Sequence, residues 1–117
     1  MTPAELLDAA REVMSDAGAP AVGERSRAAA FLARQALERR LTEFWNSRPE
    51  TAGLGKATGR SQLTCLPRYL DPELAYEVAY AWAVLSDACH YHSYDLAPTA
   101  AELSGLIGTV AKFLAST

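Results

Sequence analysis

Apolar side chains recur every three or four residues along most of this 117-residue chain, and no segment alternates between apolar and polar residues with a period of two. The first pattern places apolar side chains on one face of an α-helix, whereas a half-buried strand requires the second. Half of the residues are hydrophobic and 21% are charged, as is typical of a folded soluble domain. The sequence therefore predicts an all-α fold, and its length predicts a single domain over residues 1–117.

Three positions carry the signals that begin helices. Thr2 and Glu5 are spaced as a capping box, in which each side chain accepts a hydrogen bond from the backbone N–H of the other residue. Thr99 and Glu102 repeat this spacing. Asp71 stands directly before a proline, which is the arrangement of an N-cap and a first-turn proline. These signals predict the starts of the first, fourth and fifth helices.

The second helix is predicted to be the longest and to run from about Arg25 to Trp45. Its predicted buried face steps by three or four residues and consists of Ala30, Ala33, Leu37, Leu41 and Phe44. A glycine-containing loop is predicted for residues 47–60, and a short third helix for Ser61 to Leu66. The predicted architecture is a compact antiparallel bundle of four main helices plus one short helix.

The fourth helix is predicted to carry two adjacent stripes of side chains. The apolar stripe consists of Leu74, Val78, Ala81, Leu85, Ala88 and His92. The neighbouring stripe consists of Tyr76, Tyr80, Ala83, Asp87 and Tyr91. Because apolar stripes pack into cores, the first stripe is expected to face the other helices and the second to lie beside it.

Charge and cysteine content restrict the partners and the compartment. The net charge of -3 gives no overall basic field for nucleic acid. Arginines concentrated in the second helix nevertheless predict either a local RNA-binding face or a solvated face with intrahelical pairs such as Arg34–Glu38. Cys65 and Cys89 are too few for a disulfide framework, and neither a signal peptide nor an apolar run of about 20 residues is present. The sequence predicts a cytoplasmic protein without membrane association.

Residues 87–94 combine a carboxylate, a thiol, two phenols and both histidines of the chain. If a helix continued through this stretch, Asp87, His90 and Tyr94 would share one face. His92 would point about 160° away from His90, given the turn of about 100° per residue. A metal site needs three or four ligands held together, which this spacing does not supply, so neither a metal nor another cofactor is predicted.

The triplet His92-Ser93-Tyr94 resembles the H-x-Y end of the R-x4-H-x-Y motif of HEPN domains. These are small all-helical proteins, many of them metal-independent ribonucleases of toxin–antitoxin, antiviral and RNA-processing systems. The chain length, the long second helix, the short third helix and a motif before the last helix are also similar. The resemblance implies a HEPN-like fold and a homodimer with both motif copies in one cleft. It implies His92 as the acid/base and Tyr94 beside it, with His90 and Asp87 modulating the site.

The family arginine would stand five residues before His92, where this chain has Asp87. In such ribonucleases the histidine transfers protons and the arginine stabilises charge on the scissile phosphate, whereas an aspartate repels phosphate. Cleavage would therefore need an arginine from another helix or from a partner chain. The candidates for contacting RNA or a partner are Arg34, Arg60 and Arg68.

Two hypotheses about function follow. In the first, the chain is a HEPN-like protein of a bacterial defence or toxin-type system, binding RNA and, if an arginine is supplied, cleaving it without metal at a dimer-interface cleft. In the second, it is a catalytically inactive helical module that binds a protein partner, such as an antitoxin or another defence component, through the Tyr/Trp surface of its fourth helix. The missing arginine favours the second hypothesis, and the two histidines favour the first.

Overall fold

The computed structural model of the protein describes residues 1–15, 22–90 and 98–116. The α-helices in these ranges are α1 (Pro3–Ser15), α2 (Val22–Asn46), α3 (Gly59–Cys65), α4 (Pro72–Cys89) and α5 (Ala100–Ala115). The segments Pro49–Lys56 and Leu66–Arg68 each form a 3₁₀ helix. No strand occurs among the described residues. The predicted all-α helical bundle is confirmed.

The three predicted helix starts are also confirmed. The Glu5 N–H donates to Oγ1 of Thr2 at 3.1 Å, and the Thr2 N–H donates to Oε1 of Glu5 at 2.9 Å. Thr99 and Glu102 make the same reciprocal pair at the start of α5. Asp71 accepts a hydrogen bond of 3.0 Å from the backbone N–H three residues further on. Each start depends on contacts within one helical turn, which is why the sequence predicts it.

Helices α2 and α4 run antiparallel. Trp45, near the end of α2, packs edge-on against Tyr69, just before α4, with 5.4 Å between the ring centroids. Further along both helices, Glu38 of α2 accepts a hydrogen bond from Trp82 of α4. Residues later in α4 thus contact residues earlier in α2. The last turn of α4 therefore lies beside the first turns of α2.

Helix α5 runs parallel to α2. At the C-terminal end of α5, Arg40 of α2 donates a hydrogen bond of 2.9 Å to the carbonyl oxygen of Ser116. At the opposite end, Ala100 lines a small cavity together with Ser26 of α2. The N-terminal ends of α2 and α5 therefore meet at the same end of the bundle.

Helix α1 runs antiparallel to α2. Arg39 of α2 donates a hydrogen bond to the backbone carbonyl of Met1, just before α1. Met14, near the end of α1, lines the same cavity as Ser26 near the start of α2. The end of α1 therefore meets the N-terminal ends of α2 and α5.

Small side chains allow α2 to pack closely against its neighbours. Its fully buried alanines are Ala29, Ala30, Ala33 and Ala36. The largest fully buried side chains of the core are Trp45, Phe44 and Phe113. Every residue of the predicted buried face of α2 is buried, so that prediction is confirmed.

The loop predicted for residues 47–60 is wrong over Pro49–Lys56, where the chain forms a 3₁₀ helix. The buried Thr51 hydroxyl donates to the carbonyl of Trp45 at 3.1 Å, which fixes this segment against the end of α2. The predicted third helix is confirmed, although it begins earlier, at Gly59. After α3 the chain continues through Pro67 in a 3₁₀ turn.

Candidate functional site

The end of α4 determines how Asp87 and His90 are held. The helix ends at Cys89, and His90 has extended backbone angles, φ −86° and ψ 132°. The His90 N–H donates to the carbonyl of Asp87 at 3.2 Å, which closes the last turn. His90 is thus the C-cap of α4, three positions after Asp87. The prediction that Asp87 and His90 share a face with Tyr94 stays a prediction, because Tyr94 lies outside the described residues.

The predicted site residues divide between described and undescribed parts of the chain. Asp87 and His90 are described, and both are exposed at the end of α4. His92 and Tyr94 lie outside the described residues, so their predicted roles stay predictions. Within the described ranges, no group of three or more histidine, cysteine, aspartate or glutamate residues is arranged to hold a metal ion.

Arg34 belongs to a part-buried polar cluster between α2 and α4. Its Nε lies 3.5 Å from Oε2 of Glu38, as the predicted intrahelical pair requires. The same carboxylate oxygen accepts a hydrogen bond of 3.2 Å from Nε1 of Trp82. The Arg34 guanidinium carbon also lies 6.0 Å from the centroid of the Trp82 ring. Arg34 therefore helps to join two helices, at a point about two turns before the end of α4.

The other two predicted arginines are exposed, and both precede α4 in the chain. Arg68 is in the 3₁₀ turn before α4, and the helix from Pro72 to Asp87 is about 22 Å long. Arg60 follows Gly59, whose backbone packs against the ring of Trp82. Arg68 is therefore far from Asp87 along α4, whereas Arg34 and Gly59 both lie beside Trp82.

Arg27 of α2 lies close to the level at which α4 ends. It is not one of the three arginines predicted to contact RNA or a partner. Trp82 lies level with Glu38 and Arg34, and Cys89 is about 10 Å further along α4. The same distance along the antiparallel α2 reaches the turn that contains Arg27. The sequence shows the clustering of arginines in the second helix, but it does not show which residues of α2 and α4 lie at the same level.

A groove of about 480 Å³ runs between α4 and α5. Tyr76 and Tyr80 project along its α4 side and are 68% and 66% exposed. Its walls also include Val84, Leu106 and Thr109. The tyrosine stripe predicted for the fourth helix is thus exposed at these positions, beside an apolar depression.

The α5 side of this groove is flat at Gly105. A Cβ atom added at Gly105 would meet no heavy atom within 4 Å. Glu77 and Lys112 form a cross-helix ion pair at the edge, with 3.8 Å between the charged atoms. The α4–α5 face, defined here as Tyr76, Tyr80, Gly105 and the groove between them, therefore combines a projecting ridge with a flat strip.

Comparison with models of known protein families, with curated proteins and with solved structures finds no match for this chain. Among the described residues, no helix is long and apolar enough to cross a membrane. Inferences about function therefore depend on the chemistry of the α4 end and of the α4–α5 face.

Proposed function

We propose that this chain is a helical protein-interaction module that binds a second copy of itself through the α4–α5 face. The observation that carries this proposal is the pair of tyrosines, Tyr76 and Tyr80, exposed one helical turn apart beside an apolar groove. Tyrosine is enriched in protein interfaces because its ring buries a large apolar area while its hydroxyl stays hydrogen-bonded.

The shape of the face favours a second copy as the partner. The tyrosine ridge on α4 lies beside the flat strip at Gly105 on α5. A two-fold axis between two copies would place each ridge over the strip of the other copy, because such an interface pairs one surface with itself. The Glu77–Lys112 pair lies at the edge, where charged groups remain hydrated.

The size of the face sets the expected affinity. Two adjacent helices of this length present a face of roughly 500 Å². A contact between two such faces would bury about 1,000 Å² in total, near the lower limit of specific interfaces. We therefore expect a dissociation constant on the order of micromolar, with self-association depending on concentration.

Sedimentation velocity between about 1 and 500 μM, a range that brackets a micromolar constant, tests this proposal. The double substitution Tyr76→Ser, Tyr80→Ser should abolish the dimer. Phe31→Ser is the matched control, because Phe31 is also an exposed aromatic residue but lies on α2. Gly105→Gln should block the strip without disturbing the fold, since a Cβ there meets open space.

Gly108→Gln is the control for Gly105→Gln. A Cβ at Gly108 also meets open space, but Gly108 lines a different groove, between α1 and α5. Dimerisation that survives both the tyrosine and the Gly105 substitutions, or a wild-type chain that stays monomeric throughout the concentration range, would overturn the proposal.

The second candidate function is the HEPN-like ribonuclease of a bacterial defence or toxin-type system. Its support is the antiparallel packing of α2 and α4, which puts the Arg27 turn beside the end of α4. An arginine from a neighbouring helix is what a chain with Asp87 at the motif position needs for phosphate binding. In this proposal His92 is the acid/base, Tyr94 lies beside it, and the HEPN-like arrangement of helices remains a prediction.

RNA cleavage in the presence of EDTA tests the ribonuclease candidate. Wild-type protein should cleave single-stranded RNA without metal, and His92→Ala should abolish cleavage. Arg27→Gln should weaken it, whereas Arg68→Gln, at the far end of α4, should not. Intact RNA after incubation with wild-type protein at low salt, together with no mobility shift, would reject this candidate.

A further inference from the structure

A second groove, of about 540 Å³, lies between α1 and α5. Met14 and Ile107 supply apolar side chains to it, and Gly108 leaves its α5 side open. Arg11 stands on its α1 side, within 3.7 Å of Asp8. The volume lies within the range of roughly 300–1,000 Å³ that is common for small-molecule sites.

A smaller cavity of about 60 Å³ adjoins this groove at the N-terminal end of α5. Met14 and Ala100 line both spaces, so the two lie next to each other. The cavity is also lined by Arg25 and Ser26 of α2. The groove, which Ser15 and Ser104 also line, therefore has at its inner end a cavity with a cationic and a hydroxyl side chain.

The Ser26 hydroxyl is the decisive feature of the inner end. Ser26 is 0% exposed, and its Oγ has no hydrogen-bond partner among the residues that the structure describes. Buried side-chain hydroxyls are nearly always hydrogen-bonded, so a buried hydroxyl without a partner at a cavity wall indicates a missing acceptor or donor.

The Arg25 side chain favours an anion as the missing partner. It places a guanidinium group at the wall of the cavity, and Arg11, which pairs with Asp8, lies on the α1 side of the adjoining groove. The helix dipoles contribute little net charge here, because the positive N-terminal ends of α2 and α5 meet the negative C-terminal end of α1.

We propose that the α1–α5 groove binds a small amphiphilic anion, with its carboxylate or phosphate group at Ser26 and Arg25 and its apolar chain between Met14 and Ile107. From Ala100 to Gly108, α5 rises about 12 Å, which matches an extended chain of about eight carbons. The site lies on the opposite side of α5 from Gly105, and the proposal does not depend on self-association through the α4–α5 face.

Titration calorimetry with octanoate, octyl phosphate, octanol and inorganic phosphate tests this proposal. We expect at least one of the two amphiphilic anions to bind more than tenfold more tightly than octanol and than inorganic phosphate. The better of the two identifies the head group. Binding is measured in the Gly105→Gln background, so that failure or success of dimerisation does not affect the result.

Three substitutions connect binding to this site. Ser26→Ala keeps the core volume nearly unchanged and should weaken binding of the better amphiphilic anion about tenfold. Gly108→Gln should block the groove, and Arg25→Gln should reduce the preference over octanol. Equal binding of octanol, equal binding of inorganic phosphate, no binding of either anion, or binding unchanged by all three substitutions would overturn the proposal.

Discussion

Nε1 of Trp82 donates a hydrogen bond of 3.2 Å to Oε2 of Glu38, which joins α4 to α2 across 44 positions of the chain. The same oxygen lies 3.5 Å from Nε of Arg34. One carboxylate thus connects a partly buried indole with a guanidinium group that lies over the same indole ring. This cluster fixes the register of α2 against α4.

Removal of the Glu38 carboxylate should lower the free energy of unfolding. Glu38→Ala leaves the Trp82 N–H without its acceptor and Arg34 without its ion pair, so we expect a loss of about 1 kcal/mol in urea denaturation. Glu38→Gln retains an amide oxygen for Trp82 and should lose less. Equal losses in both variants would show that the hydrogen bond contributes little.

Arg40 connects the C-terminal end of α5 to α2. Its guanidinium donates to the carbonyl of Ser116 at 2.9 Å and lies 5.5 Å from the ring centroid of Phe113. Arg40→Met keeps an apolar stem but removes the donors, and we expect it to lower the free energy of unfolding by about 1–2 kcal/mol. Amide hydrogen exchange should accelerate in the last turn of α5. Arg11→Met, at an exposed arginine of α1, should change stability by less than about 0.5 kcal/mol.

Replacing Gly59 by alanine should lower stability, whereas the same replacement at Gly105 or Gly108 should raise it. A Cβ at Gly59 would lie 3.0 Å from the ring of Trp82, whereas a Cβ at Gly105 or Gly108 meets nothing within 4 Å. We expect Gly59→Ala to lower the melting temperature because of overpacking. The other two should each stabilise the isolated chain by about 0.5–1 kcal/mol, since alanine favours helix. Thermal unfolding at low protein concentration measures all three, and a gain at Gly59 would contradict the described packing.

The Glu5 carboxyl in the capping box of α1 should titrate with a lowered pKa. The backbone N–H and the hydroxyl of Thr2 hydrogen-bond to Glu5 and hold the pKa of its carboxyl below the usual value of 4.5. Because the folded pKa is lowered, the stabilisation is present above about pH 4.5 and is lost as the pH falls through the folded pKa. NMR titration of the Glu5 carboxyl carbon measures this directly. Thr2→Ala should move the pKa of Glu5 upwards, because it removes the hydroxyl that hydrogen-bonds to the carboxyl.

Local contacts explain which features could be predicted from the sequence. The pairs Thr2–Glu5 and Thr99–Glu102 act within one turn, so their spacing alone predicts the helix starts. The apolar stripe of α2 likewise follows from the period of 3.6 residues. The 3₁₀ helix Pro49–Lys56 could not be predicted in this way. Its Thr51 hydroxyl bonds to Trp45, a contact that glycine and proline content does not reveal.

The site was harder to predict than the fold. The position at which α4 ends could not be predicted, because the apolar period continues past Cys89 and no glycine or asparagine marks the end of the helix. Ser26 carries no signal in the sequence, because a serine among alanines on a buried helix face is common. Its significance depends on the cavity formed by α1, α2 and α5, which is a tertiary feature.

The buried alanines of α2 have a consequence for both grooves. Where only methyl groups separate helices, a larger side chain cannot be absorbed by a change of rotamer, and a whole neighbouring helix must shift. Ala29, Ala30, Ala33 and Ala36 lie in the core to which α1, α4 and α5 also contribute. A substitution such as Ala33→Val would therefore alter the width of the α4–α5 face and of the α1–α5 groove together, without changing a residue in either.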